Sequence, residues 1–217
     1  MTYSPHFTAQ VDRLVSLGYP GLAGLSEPDF RAGLAPLEER VPAIEPIEPA
    51  EPVDAAAGRV PWVLVVSRDL IPPEPRVPLL RLAGGRKPGV VDRNHGEGDL
   101  ATYHPLPELG VPAATAYLLL DVERGEEFCG VKPEDALPVI RGRGREPLTI
   151  DEGIALVTQA PELLVKNQCF MLSGSRRHDR RVPALWISER APKLGWCWDG
   201  NPHTWLGVAS AGGRTGP

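Results

Sequence analysis

Proline and glycine limit how this chain can fold more than any other feature of its sequence. Its 217 residues include 25 prolines and 23 glycines, about twice the usual share. Proline disrupts the hydrogen bonding of a helix interior, and glycine there loses backbone entropy on folding. The chain should therefore form short elements joined by many turns, and a bundle of long helices is disfavoured.

The apolar pattern predicts strands mixed with a few short helices. The capping-box spacing of Thr149 and Glu152 indicates a helix that starts at Thr149, and Pro161 should end or kink it. A second helix is expected over 133–139, where proline and acidic residues form the first turn. Strands are predicted at 62–66, 77–82, 115–122, 184–188, 193–198 and 204–208. Because no regular βαβ rhythm occurs, we expect an α+β fold with a mixed, mainly antiparallel sheet.

The chain divides into three parts by composition. Residues 1–41 predict an N-terminal helical pair, with Ser26 as the N-cap of the second helix. Residues 42–57 form a Pro/Glu-rich acidic linker, because prolines alternate with Glu45, Glu48 and Glu51. Residues 58–217 form the α+β main domain.

Charge and hydropathy indicate a soluble cytoplasmic protein. The formal net charge of −5 disfavours a nucleic-acid partner. No apolar run approaches the ~20 residues of a membrane helix, so we expect no membrane partner. The N-terminus lacks a secretory pattern, and the three cysteines contain no C-x-x-C pair. The sequence names no protein partner.

The usual catalytic signatures are absent from the sequence. It has no phosphate loop, no dinucleotide fingerprint after a strand, no G-x-S-x-G elbow and no H-E-x-x-H helix. Evidence for an active site must therefore come from groupings of residues outside these standard motifs.

The first such grouping is His95, Glu97 and Asp99, our candidate catalytic residues. In an extended segment these three side chains would point to one side. An imidazole beside two carboxylates could bind a divalent cation or transfer protons, with Asp99 orienting His95. The alternative is a polar surface turn in which Asp and Asn side chains cap backbone amides.

A second grouping lies near the C-terminus and has three of the five tryptophans. Strand alternation would place Trp196 and Trp198 on one face and Cys197 on the other, before a tight turn joining two strands at 199–202. Such a face could stack against a flat ligand, or it could fill the core of a small sheet. The candidate ligand-binding residues are Trp196, Trp198, Asp199, Asn201, His203 and Trp205.

A third grouping is basic. Arg176, Arg177 and Arg180, followed by Arg181, could bind the anionic group of a ligand through their guanidinium forks. The alternative is a solvated loop paired with acids such as Glu123, Glu126 and Glu127.

The cysteines offer a possible metal site. Cys129, Cys169 and Cys197 could join His178 and His203 around zinc, although zinc ligands usually come in closer pairs. The alternative is a set of buried, unreactive thiols. The sequence therefore leaves metal ligands and cofactors unassigned, with a divalent metal as the one candidate.

Four short segments of the sequence together form a recognisable pattern. Their ranges are Asn94–Leu100, Arg124–Cys129, Leu148–Leu156 and Lys193–Trp198. In this order they resemble a family of uncharacterised actinobacterial proteins, a domain of unknown function. The resemblance implies a bacterial cytoplasmic protein and supplies no activity, cofactor or catalytic residue.

We therefore predict a small-molecule-binding protein or an enzyme. Its pocket would be built by the His95 loop and the Trp-rich loop and would take an anionic or aromatic ligand. The alternative function is a non-catalytic interaction module that docks a partner through the N-terminal helices and the Pro/Glu strip.

Overall fold

The structure, a computed structural model, describes residues 2–43 and 57–217 and confirms the α+β fold. The helices are α1 Phe7–Ser16, α2 Tyr19–Leu22, α3 Glu27–Leu34, α4 Pro73–Arg76, α5 Pro133–Gly142 and α6 Ile150–Gln159. The strands are β1 Arg59–Val66, β2 Val90–Val91, β3 His104–Pro105, β4 Ala116–Glu123, β5 Glu146–Pro147, β6 Cys169–Met171, β7 Ser175–Arg176, β8 Arg181–Ser188, β9 Ala191–Trp198, β10 Leu206–Val208 and β11 Ser210–Thr215. Residues 44–56, which include most of the predicted linker, lie outside the described residues.

The strands form two main sheets and one short ribbon. The first sheet has the order β1-β4-β11-β5 and is antiparallel. The second has the order β10-β6-β8-β9-β2, with antiparallel pairs in the centre and a parallel pair at each edge. The ribbon consists of β3 and β7, which pair His104 with Arg176.

The continuous apolar run in β1 is explained by burial on both faces. Val63 and Val65 belong to the main core with α6, whereas Trp62 and Leu64 belong to a second core with the N-terminal helices. Phe7 of α1 stacks on Trp62, with ring centroids 6.4 Å apart. The helices of residues 1–41 are therefore packed directly on the first sheet.

N-terminal side chains also satisfy the free edge of β1. The backbone N–H of Leu64 donates to Oε1 of the fully buried Gln10 over 2.8 Å, and the Tyr3 hydroxyl donates to the carbonyl of Trp62 over 2.9 Å. An edge strand otherwise exposes unpaired polar groups that can pair with other chains. The side chains of Tyr3 and Gln10 thus bind backbone groups of β1 that a neighbouring strand would otherwise pair.

Helix α6 lies at the centre of the main core, and all ten of its residues are buried. Its capping box forms as predicted, with Thr149 and Glu152 bonded reciprocally, and the helix ends two residues before Pro161. Gly153 permits close packing, because a Cβ there would lie 2.4 Å from a methyl group of Leu172.

Two local predictions were wrong, and one predicted strand was too long. Residues 77–82 form no strand: the helical turn of α4 continues as a 3₁₀ helix over Val77–Leu79, since prolines at 73, 75 and 78 favour helical φ and remove amide donors. The strand predicted at 204–208 is limited to Leu206–Val208. The turn after Trp198 does not join adjacent strands, because β10 pairs in parallel with β6.

None of the helices described by the structure is long and apolar enough to cross a membrane.

Candidate functional site

The segment that contains His95 is a compact turn and not an extended strand. After β2, the Asp92 amide donates to the Leu194 carbonyl over 2.7 Å, and the His95 amide donates to the Asp92 carbonyl over 2.9 Å. Gly98 has a φ of 72°, which favours glycine, and a 3₁₀ helix begins at Asp99. The turn brings residues four apart into contact.

His95 and Asp99 are the members of the predicted triad that meet. The His95 Nδ1 atom lies 2.9 Å from Asp99 Oδ2, and the imidazole is fully buried. Glu97 is exposed and makes no hydrogen bond or ion pair with the described residues. The predicted orientation of the imidazole by Asp99 is therefore present, whereas Glu97 lies apart from it.

Tyr103 and Arg177 complete the surroundings of this pair. Arg177 bonds to the second oxygen of Asp99, and its guanidinium carbon lies 5.5 Å from the centroid of the Tyr103 ring. The Tyr103 ring meets His95 edge-on, with centroids 5.8 Å apart. The β3–β7 ribbon explains this arrangement, because pairing of His104 with Arg176 brings their chain neighbours together.

The electrostatics of the group keep Asp99 ionised. Burial alone would raise the pKa of Asp99, but hydrogen bonds from His95 and Arg177 outweigh it and lower the pKa below its ordinary value. His95 Nε2 and the Tyr103 hydroxyl are buried with no hydrogen-bond partner among the described residues. Buried polar atoms in this condition are uncommon, and a catalytic role is one of the usual reasons.

The tryptophan face lies beside the same turn. Trp196 and Trp198 meet edge-on with ring centroids 5.0 Å apart, and the Arg181 guanidinium carbon lies 4.3 Å from the Trp196 centroid. Trp196 Nε1 donates to the carbonyl of Asn94 over 3.4 Å. This contact joins the His95 loop to β9, and the Arg177–Asp99 ion pair joins it to the segment that leads into β8.

The other predicted C-terminal residues belong to different surroundings. His203 packs against Trp205, with ring centroids 5.4 Å apart, and Trp205 in turn meets Trp186 of β8. Trp186 lies on one face of the β8–β9 hairpin and Trp196 on the other. Burial lowers the pKa of His203. The exposed Asn201 donates its backbone N–H to the Trp198 carbonyl over 3.0 Å. The predicted set is thus divided between two aromatic groups.

Each arginine of the basic run has a carboxylate partner. Arg176 lies 3.1 Å from Asp199, Arg177 contacts Asp179 as well as Asp99, and Arg180 contacts Glu134. Arg181 lies 3.6 Å from Asp179. Pairing with acids was the alternative interpretation of this run, although the partners differ from the glutamates that we named.

The cysteines and histidines do not form a metal centre in the part of the chain that the structure describes, where no group of three or more potential ligands could hold a metal ion. All three cysteines are free. Burial raises the pKa of Cys197 to about 12, which keeps its thiol protonated.

A buried ionic network behind Tyr103 was not predicted. Asp151, at the start of α6, bonds to Arg68 over 2.7 Å and to the buried Arg76. Arg68 also donates to the Tyr103 carbonyl, so the network supports the group around His95. Asp151 was visible in the sequence as a first-turn acid, but no local pattern links it to Arg68 or Arg76.

Comparison with known families identifies the chain. A family model described as a family of unknown function, DUF5701, matches residues 13–217. The chain belongs to the DUF5701 family. No curated protein and no solved structure matches this DUF5701 chain. The family carries no assigned activity, so a function for this DUF5701 protein must be argued from its own geometry.

Proposed function

We propose that the chain binds a small planar, aromatic ligand, which stacks on Trp198 at the junction of the 92–99 turn and the β8–β9 hairpin. The exposure of Trp198 carries this proposal. Its side chain is 46% exposed in a protein that otherwise buries most of its large apolar residues. Exposed aromatic surface beside polar groups is typical of ligand contacts.

The neighbours of Trp198 support a stacking role. Trp196 and Trp198 meet edge-on and form the platform, and the Arg181 guanidinium carbon lies 4.3 Å from the Trp196 centroid but 5.9 Å from that of Trp198. Trp198 is therefore the member of the pair with ring surface left for a ligand. Because the arginines of the 176–181 run are already paired with carboxylates, we favour the aromatic over the anionic ligand at this site.

For His95 we propose proton exchange with the ligand, a role for which its fully buried imidazole must first become accessible. Asp99 holds Nδ1, so Nε2 is the atom left to donate or accept a proton. Tyr103 and Arg177 would position the pair rather than react. Glu97 makes no contact with this group and has no part in the proposal.

A screen of planar heteroaromatic fragments against the full chain tests the proposal by thermal shift. Fragments that stabilise the wild type should lose about tenfold or more in affinity on Trp198→Ala, the loss of a stacking contact of roughly 1–3 kcal/mol. Val139→Ala is the matched control, because Val139 is 44% exposed and lies on α5. Fragments that bind Trp198→Ala as well as they bind the wild type would contradict the proposal, and so would a screen without hits.

The interaction module remains the alternative prediction. Its Pro/Glu strip lies mostly outside the described residues, and the N-terminal segment exposes two large apolar residues, Leu22 on α2 and Leu25 between α2 and α3.

A further inference from the structure

A groove of about 410 Å³ lies beside β2, on a part of the surface that no prediction from the sequence singled out. It is bounded by β2, the residues that precede it and the turn between β8 and β9. One part of its wall is apolar and is made by Pro88, Val90, Val91 and Ala191. The volume falls in the range of roughly 300–1,000 Å³ that is usual for small-molecule sites.

Three cations line the same groove. Lys193 lies 3.4 Å from Asp92, and the Lys87 ammonium donates to the neutral backbone carbonyl of Glu189 over 2.9 Å. Arg93 is exposed and makes no ion pair with the described residues. The Glu189 carboxylate is the one acidic side chain in the lining. The groove thus has a positive excess in a chain whose net charge is −5.

The apolar wall is open to a ligand. Val90 is 46% exposed, as much as Trp198. A ligand that covers Val90 would gain hydrophobic contact while its charged end remains within reach of the cations. This combination favours an anion with an apolar body over a simple inorganic ion.

The local backbone favours a small ligand over an added peptide strand. β2 has only two residues, Pro88 precedes it, and the chain turns away at Asp92. A short edge strand flanked by proline and cations is a common protection against strand addition.

We propose that this groove binds a small amphipathic anion, with its carboxylate, sulfonate or phosphate held by Arg93 and Lys87 and its apolar body against Val90. The site differs from the Trp198 platform and does not depend on the proposed function. Arg93 and His95 belong to one turn, but they contact different residues: Arg93 lines the groove and His95 contacts Asp99.

Titration of the full chain with the fluorescent probe anilinonaphthalenesulfonate tests this site. The double variant Arg93→Ala/Lys87→Ala should bind the probe at least about tenfold more weakly, since hydrogen bonds to charged groups contribute roughly 1.5–3 kcal/mol. Arg86→Ala is the matched control, because Arg86 is exposed next to Lys87 and does not line the groove. Octanoate should displace the probe, and octanol, which lacks the charge, should not.

The probe is also aromatic, so Trp198→Ala separates the two sites. Unchanged probe affinity in Trp198→Ala, with loss in Arg93→Ala/Lys87→Ala, supports the groove. Wild-type affinity in Arg93→Ala/Lys87→Ala, or equal displacement by octanol and octanoate, would overturn the proposal. Loss of the probe in Trp198→Ala alone would also overturn it and would place the probe on the platform.

Discussion

The imidazole of His95 and the carboxylate of Asp99 are joined over 2.9 Å across a turn of the chain, and Arg177 bonds to the second oxygen of the same carboxylate. Asp99 is therefore the link between the 92–99 turn and the segment that leads into β8. Its ionisation should stabilise the fold as well as orient His95.

Asp99→Asn should destabilise the protein in a pH-dependent way. The pKa of Asp99 is lower in the folded chain than its ordinary value of about 3.9, so the ionised carboxylate adds stability at neutral pH. That stability is fully present above the unfolded pKa and is lost as the pH falls through the folded pKa. We expect a loss of about 1–3 kcal/mol in the free energy of unfolding at pH 7, and a smaller loss at about pH 3.

Urea unfolding at the two pH values measures this difference. Asp69→Asn is the control, because Asp69 is exposed and makes no ion pair with the described residues. An equal deficit of Asp99→Asn at both pH values would show that the carboxylate charge does not stabilise the turn.

Gln10→Leu should cost about 1–3 kcal/mol in the free energy of unfolding. The substitution leaves the buried N–H of Leu64 without an acceptor, and a lost partner of this kind costs the desolvation of the group that remains. Thr8→Leu is the control, because Thr8 is exposed on the same helix. Chemical denaturation of both variants checks the effect; equal stabilities would mean that α1 is not needed to satisfy the edge of β1.

The thiols should react in two groups. Burial raises the pKa of all three thiols, but Cys129 is half-buried whereas Cys169 and Cys197 are buried, so Cys129 should react first, and slowly, with a disulfide reagent at about pH 8. The other two should react only after the chain unfolds in guanidinium. The rate of reaction and the number of thiols that react are measured in the folded wild type and in Cys129→Ser as the control. Fast reaction of folded Cys129→Ser would contradict the burial of the two remaining thiols.

Arg190→Gly should stabilise the protein. The two-residue turn between β8 and β9 has Glu189 at a φ of 53° and Arg190 at 64°, a combination that belongs to the type I′ turn and favours glycine. Removing the strain of one side chain should gain about 0.5–1 kcal/mol after the greater entropy of unfolded glycine is subtracted. Calorimetric melting should show a higher Tm than the wild type for Arg190→Gly and no increase in Tm for Arg86→Gly. A lower Tm for Arg190→Gly would show that the turn is not strained.

Local patterns in the sequence predicted the elements whose signals are local. The capping box of α6 and the apolar run of β1 depend on residues a few positions apart, and both form where expected. The alternation of Trp196, Cys197 and Trp198 also correctly predicted an aromatic pair above a buried thiol.

Long-range partners could not be read in the same way. The contact of Asp99 with Arg177 depends on the pairing of β3 with β7, and the partners of Asp151 come from residues 68 and 76. The turn at 92–99 was one of two interpretations of this segment, and the sequence could not decide between them because the geometry depends on the positive φ of Gly98 and on the bond from Asp92 to Leu194. Such contacts depend on the order of strands in the sheets, and a short window of sequence does not reveal that order.

The central claim is that a planar ligand stacks on Trp198, and the indole N–H signals of the ¹⁵N-labelled protein test it most directly. The five tryptophans give five signals, which can be assigned from single Trp→Phe variants. On titration with a stabilising heteroaromatic fragment, we predict that the signals of Trp196 and Trp198 shift together while that of the buried Trp62 stays in place. Shifts confined to Trp186 and Trp205, or no shift at either Trp196 or Trp198, would contradict the account.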